Sequence, residues 1–164
     1  MAPGGDGDGA NAPGIVAGER DTQLAFLRYL RAGVDRKLEG LSDDDARRAL
    51  VPSGTTLLGL AKHLAFVEVY WAQRRFLGAQ ITTDGDGFAL ADDDTVASVR
   101  RAYAEAARRT DDIVEACDDL DRPLARGSHG LTLRWMLAHL VEETGRHAGH
   151  ADILRELLDG ATGR

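Results

Sequence analysis

The sequence predicts an all-α fold, a four-helix bundle with one long connection, and three observations lead there. Apolar residues recur at spacings of three and four over four long stretches, the mark of a helix with one buried face. No stretch alternates in the period of two that a half-buried strand requires. No internal repeat of 20 to 50 residues offers a solenoid instead. At 164 residues the chain suits one domain with a single core.

The first helix is expected from about Glu19 to Glu39, with Leu24, Leu27, Leu30, Val34 and Leu38 on one face and Gly40 as its stop. "LSDDDARRAL" follows, with Ser42 and Asp45 placed as a capping box for a short helix that ends near Pro52. The second long helix runs from about Thr56 to Phe76, with Leu57, Leu60, Leu64, Val67 and Trp71 inward, and Gly78 closes it. "GAQITTDGDGFALADDDT" reads as a loop, too long for a minimal turn and a candidate wall for a site. Asp94 or a neighbour caps the third helix, whose buried row is Val96, Val99, Tyr103, Ala106, Thr110, Ile113 and Cys117. "DRPLARGSHG" breaks the pattern and leaves His129 in an exposed loop. The last helix starts near Leu131 or Thr132 and continues to Leu158, before Gly160.

Residues 1 to 17, "MAPGGDGDGANAPGIVA", lack any apolar period and read as a disordered leader, with residues 18 to 164 forming the domain. Net charge is -7, which weighs against a nucleic acid partner because phosphate binding needs a basic face. No apolar run reaches the length of a membrane span, so no membrane partner is expected. A single cysteine, Cys117, cannot close an internal disulfide, and no charged-then-apolar leader precedes the domain, so a cytoplasmic location is expected.

Chemistry concentrates in "EETGRHAGH", residues 142 to 150. The inward row of the last helix reads Met136, Leu140, Glu143, His147, then Ala151 or His150, then Leu154 and Leu157 or Leu158. An acid and an imidazole thus interrupt an apolar stripe. Residues four apart share a helix face, so Glu143 and His147 converge on one point. An unpaired buried carboxylate is costly, which leaves pairing, protonation or metal coordination. His63, on the edge of the Leu60, Val67 and Tyr70 row of the second helix, aims at the same interior. Two imidazoles and a carboxylate suit zinc, with nickel, iron or manganese as alternatives, and three protein ligands leave a position open for water or substrate. The plain alternative is a hydrogen-bonded Glu143–His147 pair on the helix flank. Glu142, one helix step round, is expected in solvent. His150 stands either at the pocket rim as a proton carrier or on the helix surface, and His139 is either a fourth ligand or a hydrogen-bonded interior or interface histidine.

"GLSDDDARRALVPSGTTLLGLAKHLAFVEVYW" and "LTLRWMLAHLVEETGRHAGHADILRELLDG" resemble the DinB-like superfamily, and within it the actinobacterial branch of mycothiol-dependent S-transferase relatives, similar also to mycothiol-dependent maleylpyruvate isomerase. The resemblance spans about residue 19 to the C-terminus. It implies a bundle with a long crossover connection and a divalent metal held by three side chains. Where many members carry histidine at the first position of the pair on the last helix, this chain has Glu143, giving His63, Glu143 and His147 as the implied ligand set. Mycothiol is then the co-substrate, and its metal-activated thiolate attacks a small electrophile. In that setting His150 and Tyr70 are candidates for proton transfer, and Arg74, Arg146 and Trp71 for substrate binding. A binding protein for small molecules or thiol conjugates, without turnover, is the competing reading, and a metal-dependent hydrolase or isomerase is another. The chain is expected as a monomer or a homodimer.

Overall fold

A computed structural model describes residues 12–14, 17–83, 85–127 and 130–162. Most of the expected leader, and His129, lie outside the described residues. Among those described, the fold is entirely helical apart from one isolated bridge between Pro123 and Thr132. The elements are α1 (Glu19–Leu38), a single turn α2 (Asp43–Ala46), α3 (Leu57–Glu68) continuing as a π-helix (Val69–Phe76), α4 (Val96–Glu115) and α5 (Leu133–Asp159).

Local chemistry sets the boundaries. The side chains of Thr56, Thr95 and Thr132 each accept a hydrogen bond from the backbone N–H three residues on, starting α3, α4 and α5. Thr95 therefore caps α4, and Asp94 instead accepts from the Ala91 N–H and Lys62 Nζ. Ser42 caps α2 as expected, but α2 ends after one turn rather than near Pro52. Asp43 also reaches across the bundle end, its Oδ1 accepting from Val96 N at 2.6 Å. Gly160, at φ 75°, closes α5 in the left-handed region.

Ion pairs between helices fix the direction of each. Glu19 meets Arg134 at one end, and Lys37 meets Asp152 at the other, so α1 and α5 run parallel. Arg28 pairs with Asp111, and Arg100 with Asp35, so α4 runs against α1. Lys62 near the start of α3 binds Asp94 beside the start of α4, which makes α3 and α4 parallel. Two parallel neighbours cannot be joined by a tight turn. Residues 77–95 must return the length of the bundle, and this is the long crossover that the sequence predicts.

Two apolar clusters fill the interior. One gathers Leu38, Leu57, Leu58, Leu60, Leu64, Val99 and Leu154, the other Leu27, Phe76, Ile113, Met136, Leu137 and Leu140. On α5 the inward row continues from His147 to Ala151 and Leu154, with Leu158 partly buried and Leu157 56% exposed. Between the clusters the core is crossed by an ion pair, Arg31 Nε and Nη2 donating to Glu68 Oε1 and Oε2 at 2.7 and 2.8 Å. Arg31 also donates to Asp111 at 2.6 Å. Arg31 and Glu68 are both buried.

The second long helix differs from expectation in its last two turns. From Val69 to Phe76 the backbone is π-helical, and the Leu77 N–H bonds to the Ala72 carbonyl five residues back. This wider winding stacks residues four and five apart. Arg74 lies 5.6 Å from the Tyr70 ring centroid, and Arg75 lies 5.5 Å from Tyr70 and 5.0 Å from Trp71. No helix among the described residues is long and apolar enough to cross a membrane.

Candidate metal centre

His63 on α3 and Glu143 and His147 on α5 meet between the two apolar clusters, all three buried. One ligand atom from each lies within 4.8 Å of the others. Glu143 Oε1 is 3.1 Å from His63 Nε2 and 3.1 Å from His147 Nε2. For an ion bound at about 2.0 to 2.2 Å, adjacent ligand atoms in tetrahedral or octahedral geometry stand about 3.0 to 3.5 Å apart, so these separations match the edge of a coordination shell.

The crossover loop determines which His63 nitrogen faces the carboxylate. His63 Nδ1 is 2.5 Å from the Asp86 carbonyl oxygen, and a carbonyl can only accept, so Nδ1 carries the proton. Burial lowers the pKa of His63 and holds the ring neutral, which leaves a lone pair on Nε2. That lone pair faces a carboxylate oxygen at 3.1 Å. Two acceptors at that distance repel unless a cation stands between them. The donor set therefore fits a divalent ion, and the Asp86 carbonyl has the orienting role that backbone acceptors play behind metal-bound histidines.

His147 is also held neutral, burial pushing its pKa down to about 4, with the cationic Arg146 acting in the same direction. Its Nδ1 lies 3.4 Å from His150 Nδ1. Phe88 stacks on the His63 ring at 3.9 Å and 11°, so the crossover loop walls the cluster as its length suggested. Gly87 lets the loop approach so closely. Its φ is +82°, and an added Cβ would lie 2.6 Å from Phe66 Cβ. Gly87→Ala is expected to displace Asp86 and lower metal affinity by about 10- to 100-fold, the usual range for a lost orienting partner. Competition against a chelator of known affinity checks this, and an unchanged constant would separate the loop from the site.

The other candidate residues lie around this cluster with partners of their own. Arg146 pairs with Glu143 Oε2, leaving Oε1 for the imidazoles, and lies 3.4 Å from Glu142. Glu142 is 3.7 Å from His139 Nδ1. Tyr70 accepts at its hydroxyl from Arg75 Nη1 at 2.7 Å, and Arg74 donates to Thr83 Oγ1. His150 is exposed and lines a cleft with Val51, Ser53, Thr55, Ile153 and Leu154. Cys117 is buried and unpaired in any disulfide.

Asp86, Gly87, Phe88 and the Arg31–Glu68 pair were not identified from the sequence. For the pair a signal was there: Leu27, Arg31, Val34 and Leu38 keep the 3-4 spacing better than a row through Leu30, and Glu68 is four after Leu64. The loop residues carry no periodic signal, because tertiary contact alone determines the path of a loop.

The geometry defines a helical bundle with a carboxylate and two imidazoles gathered in its core. The family model for mycothiol S-transferases matches residues 22–160, and the chain belongs to that family. A solved structure of a conserved protein from Enterococcus faecalis shares the fold, with a TM-score of 0.60 at 11% identity over 89% of this chain and 100% of that one. No curated protein sequence matches the chain.

Proposed function

We propose that the chain is a metal-dependent S-transferase that joins the sulfur of mycothiol to a small electrophile. The carrying observation is the pair of acceptors, His63 Nε2 and Glu143 Oε1, held face to face at 3.1 Å by the Asp86 carbonyl behind the imidazole. His63, Glu143 and His147 would hold a divalent ion, zinc being the ion this set suits first, with nickel, iron or manganese as alternatives. When bound, the ion supplies a positive charge that lowers the pKa of a neighbouring thiol, so that the thiolate is available at neutral pH.

The chain's own residues do the rest. Arg146 fixes one carboxylate oxygen of Glu143 so that the other stays directed at the imidazoles. His63 and His147, being neutral, present lone pairs rather than competing for the site with protons. The thiol proton passes to a base, for which His150, in contact with His147, is the candidate, with the Tyr70 hydroxyl as a candidate relay. The sulfur lone pair forms the new S–C bond, and the electrons displaced from the electrophilic carbon leave with its leaving group or are protonated on the adjacent atom. Arg74 is the candidate for an acidic group on the electrophile, on exchanging Thr83 for it.

Incubating the metal-loaded protein with mycothiol and monochlorobimane is the test. Conjugate formation well above the uncatalysed rate, lost after chelation and restored by added ion, is expected. Saturable binding of mycothiol without any conjugate would leave a binding protein instead of an enzyme.

A further inference from the structure

Among the exposed large apolar side chains of the described residues, Trp135 alone is linked to the candidate metal centre through rings. It is 40% exposed and stacks on His139 at 5.0 Å and 23°. Trp71 from the π-helix meets both, at 5.1 Å from Trp135 and 4.9 Å from His139. His139 in turn has a ring nitrogen within 4.8 Å of a Glu143 carboxylate oxygen. The three rings thus pack on one another in a cluster that runs from the His63–Glu143–His147 group outward along α5, with Trp135 open to solvent at its end and the exposed carboxylate of Glu142 beside it.

This ring cluster has the length and chemistry of one kind of ligand. Eight residues of helix separate Trp135 from Glu143, about 12 Å of rise. Mycothiol is a cysteinyl thiol joined by an amide to glucosamine, which is linked in turn to inositol, so its sulfur and its far ring are separated by a comparable span. Both rings present apolar C–H faces and a rim of hydroxyls. Such faces pack against indole and imidazole rings, while a bordering carboxylate accepts from the hydroxyls. Simple core packing would bury Trp135 under neighbours, yet its ring remains open to solvent.

We infer that Trp135, backed by His139 and Trp71, forms a stacking platform for the sugar portion of mycothiol, which directs the thiol toward the metal cluster. The inference rests on the mycothiol reading of the same site. The three aromatic residues are positioning groups that read the sugar portion and take no part in bond formation. They therefore set selectivity for this thiol over shorter ones.

Trp71 and Trp135 are the only two tryptophans in the chain, so intrinsic emission reports on the platform alone. Glucosaminyl-inositol, which has no thiol, should change that emission saturably in the wild-type protein and fail to do so in Trp135→Ala. In conjugation assays the ratio of kcat/KM for mycothiol over N-acetylcysteine should fall by about tenfold in Trp135→Ala, the loss expected for one aromatic stacking contact, and recover in Trp135→Phe. An emission spectrum indifferent to glucosaminyl-inositol, or a kcat/KM ratio unchanged in Trp135→Ala, overturns the platform. If wild-type protein forms no conjugate while the emission titration still saturates, the platform stands as a sugar site and the transfer reading falls.

Discussion

Glu143→Ala should abolish metal binding at the proposed site. The variant is expected to bind zinc at least about 100-fold more weakly than the parent, beyond the 10- to 100-fold range seen when only an orienting partner is lost. The reason lies in the placement of Oε1, 3.1 Å from both imidazole Nε2 atoms. Without it, two neutral nitrogens remain and the negative charge that offsets the dication is gone. Conjugation of mycothiol should fall in parallel, and α5 should remain folded because alanine favours the helix. Glu143→Gln separates charge from shape: it keeps the carbonyl oxygen but not the charge, and should also lose most of the affinity. Isothermal titration with zinc against both variants checks this, and affinities within a few-fold of the parent would refute the assignment of Glu143.

Glu68→Ala should produce the largest loss of stability of any single change outside the apolar clusters. Arg31 donates two hydrogen bonds to Glu68, at 2.7 and 2.8 Å, in a setting where both side chains are almost fully buried. Removing one member leaves a buried guanidinium with Asp111 as its remaining partner. Breaking a pair in such a position costs about 3 to 5 kcal/mol, which for a domain of this size lowers Tm by about 10 °C. The double change Arg31→Met with Glu68→Met should recover most of that loss, because the desolvation cost of both charges disappears with them. Urea unfolding of the three variants is the check. A Glu68→Ala variant within about 1 kcal/mol of the parent would show that water or Asp111 compensates the charge.

Glu68 also explains part of what the sequence concealed. It is the last residue of α3 before the π-helix, and no periodicity announces a switch from one winding to the other. The switch matters because it stacks Arg74 and Arg75 over Tyr70 and Trp71, residues that a regular helix would distribute differently. The four long helices were legible because amphipathic spacing is a local property. His63, Glu143 and His147 were legible for the same reason: polar groups at inward positions of two stripes have one shared interior to enter. The threonine caps had local signatures as well, although the nearest acid, Asp94, obscured Thr95.

The crossover was harder to read. Its length suggested a site wall, but the identity of the wall residues depends on where residues 77–95 touch α3. Only the folded chain shows that the Asp86 carbonyl points at His63 and that Gly87 permits the approach. Arg146 illustrates a different limit. A helical spacing of three places it near Glu143, yet spacing alone does not say whether it serves that carboxylate or a substrate; in the structure it serves the carboxylate.

The central claim is that a divalent ion resolves the opposition of His63 Nε2 and Glu143 Oε1. Anomalous diffraction collected on either side of the zinc absorption edge, from crystals of protein purified with the ion, measures this directly. A single peak at about 2.0 to 2.2 Å from His63 Nε2, Glu143 Oε1 and His147 Nε2 is the predicted result. No anomalous signal there, with His63 rotated so that a ring N–H donates to Glu143, would contradict it.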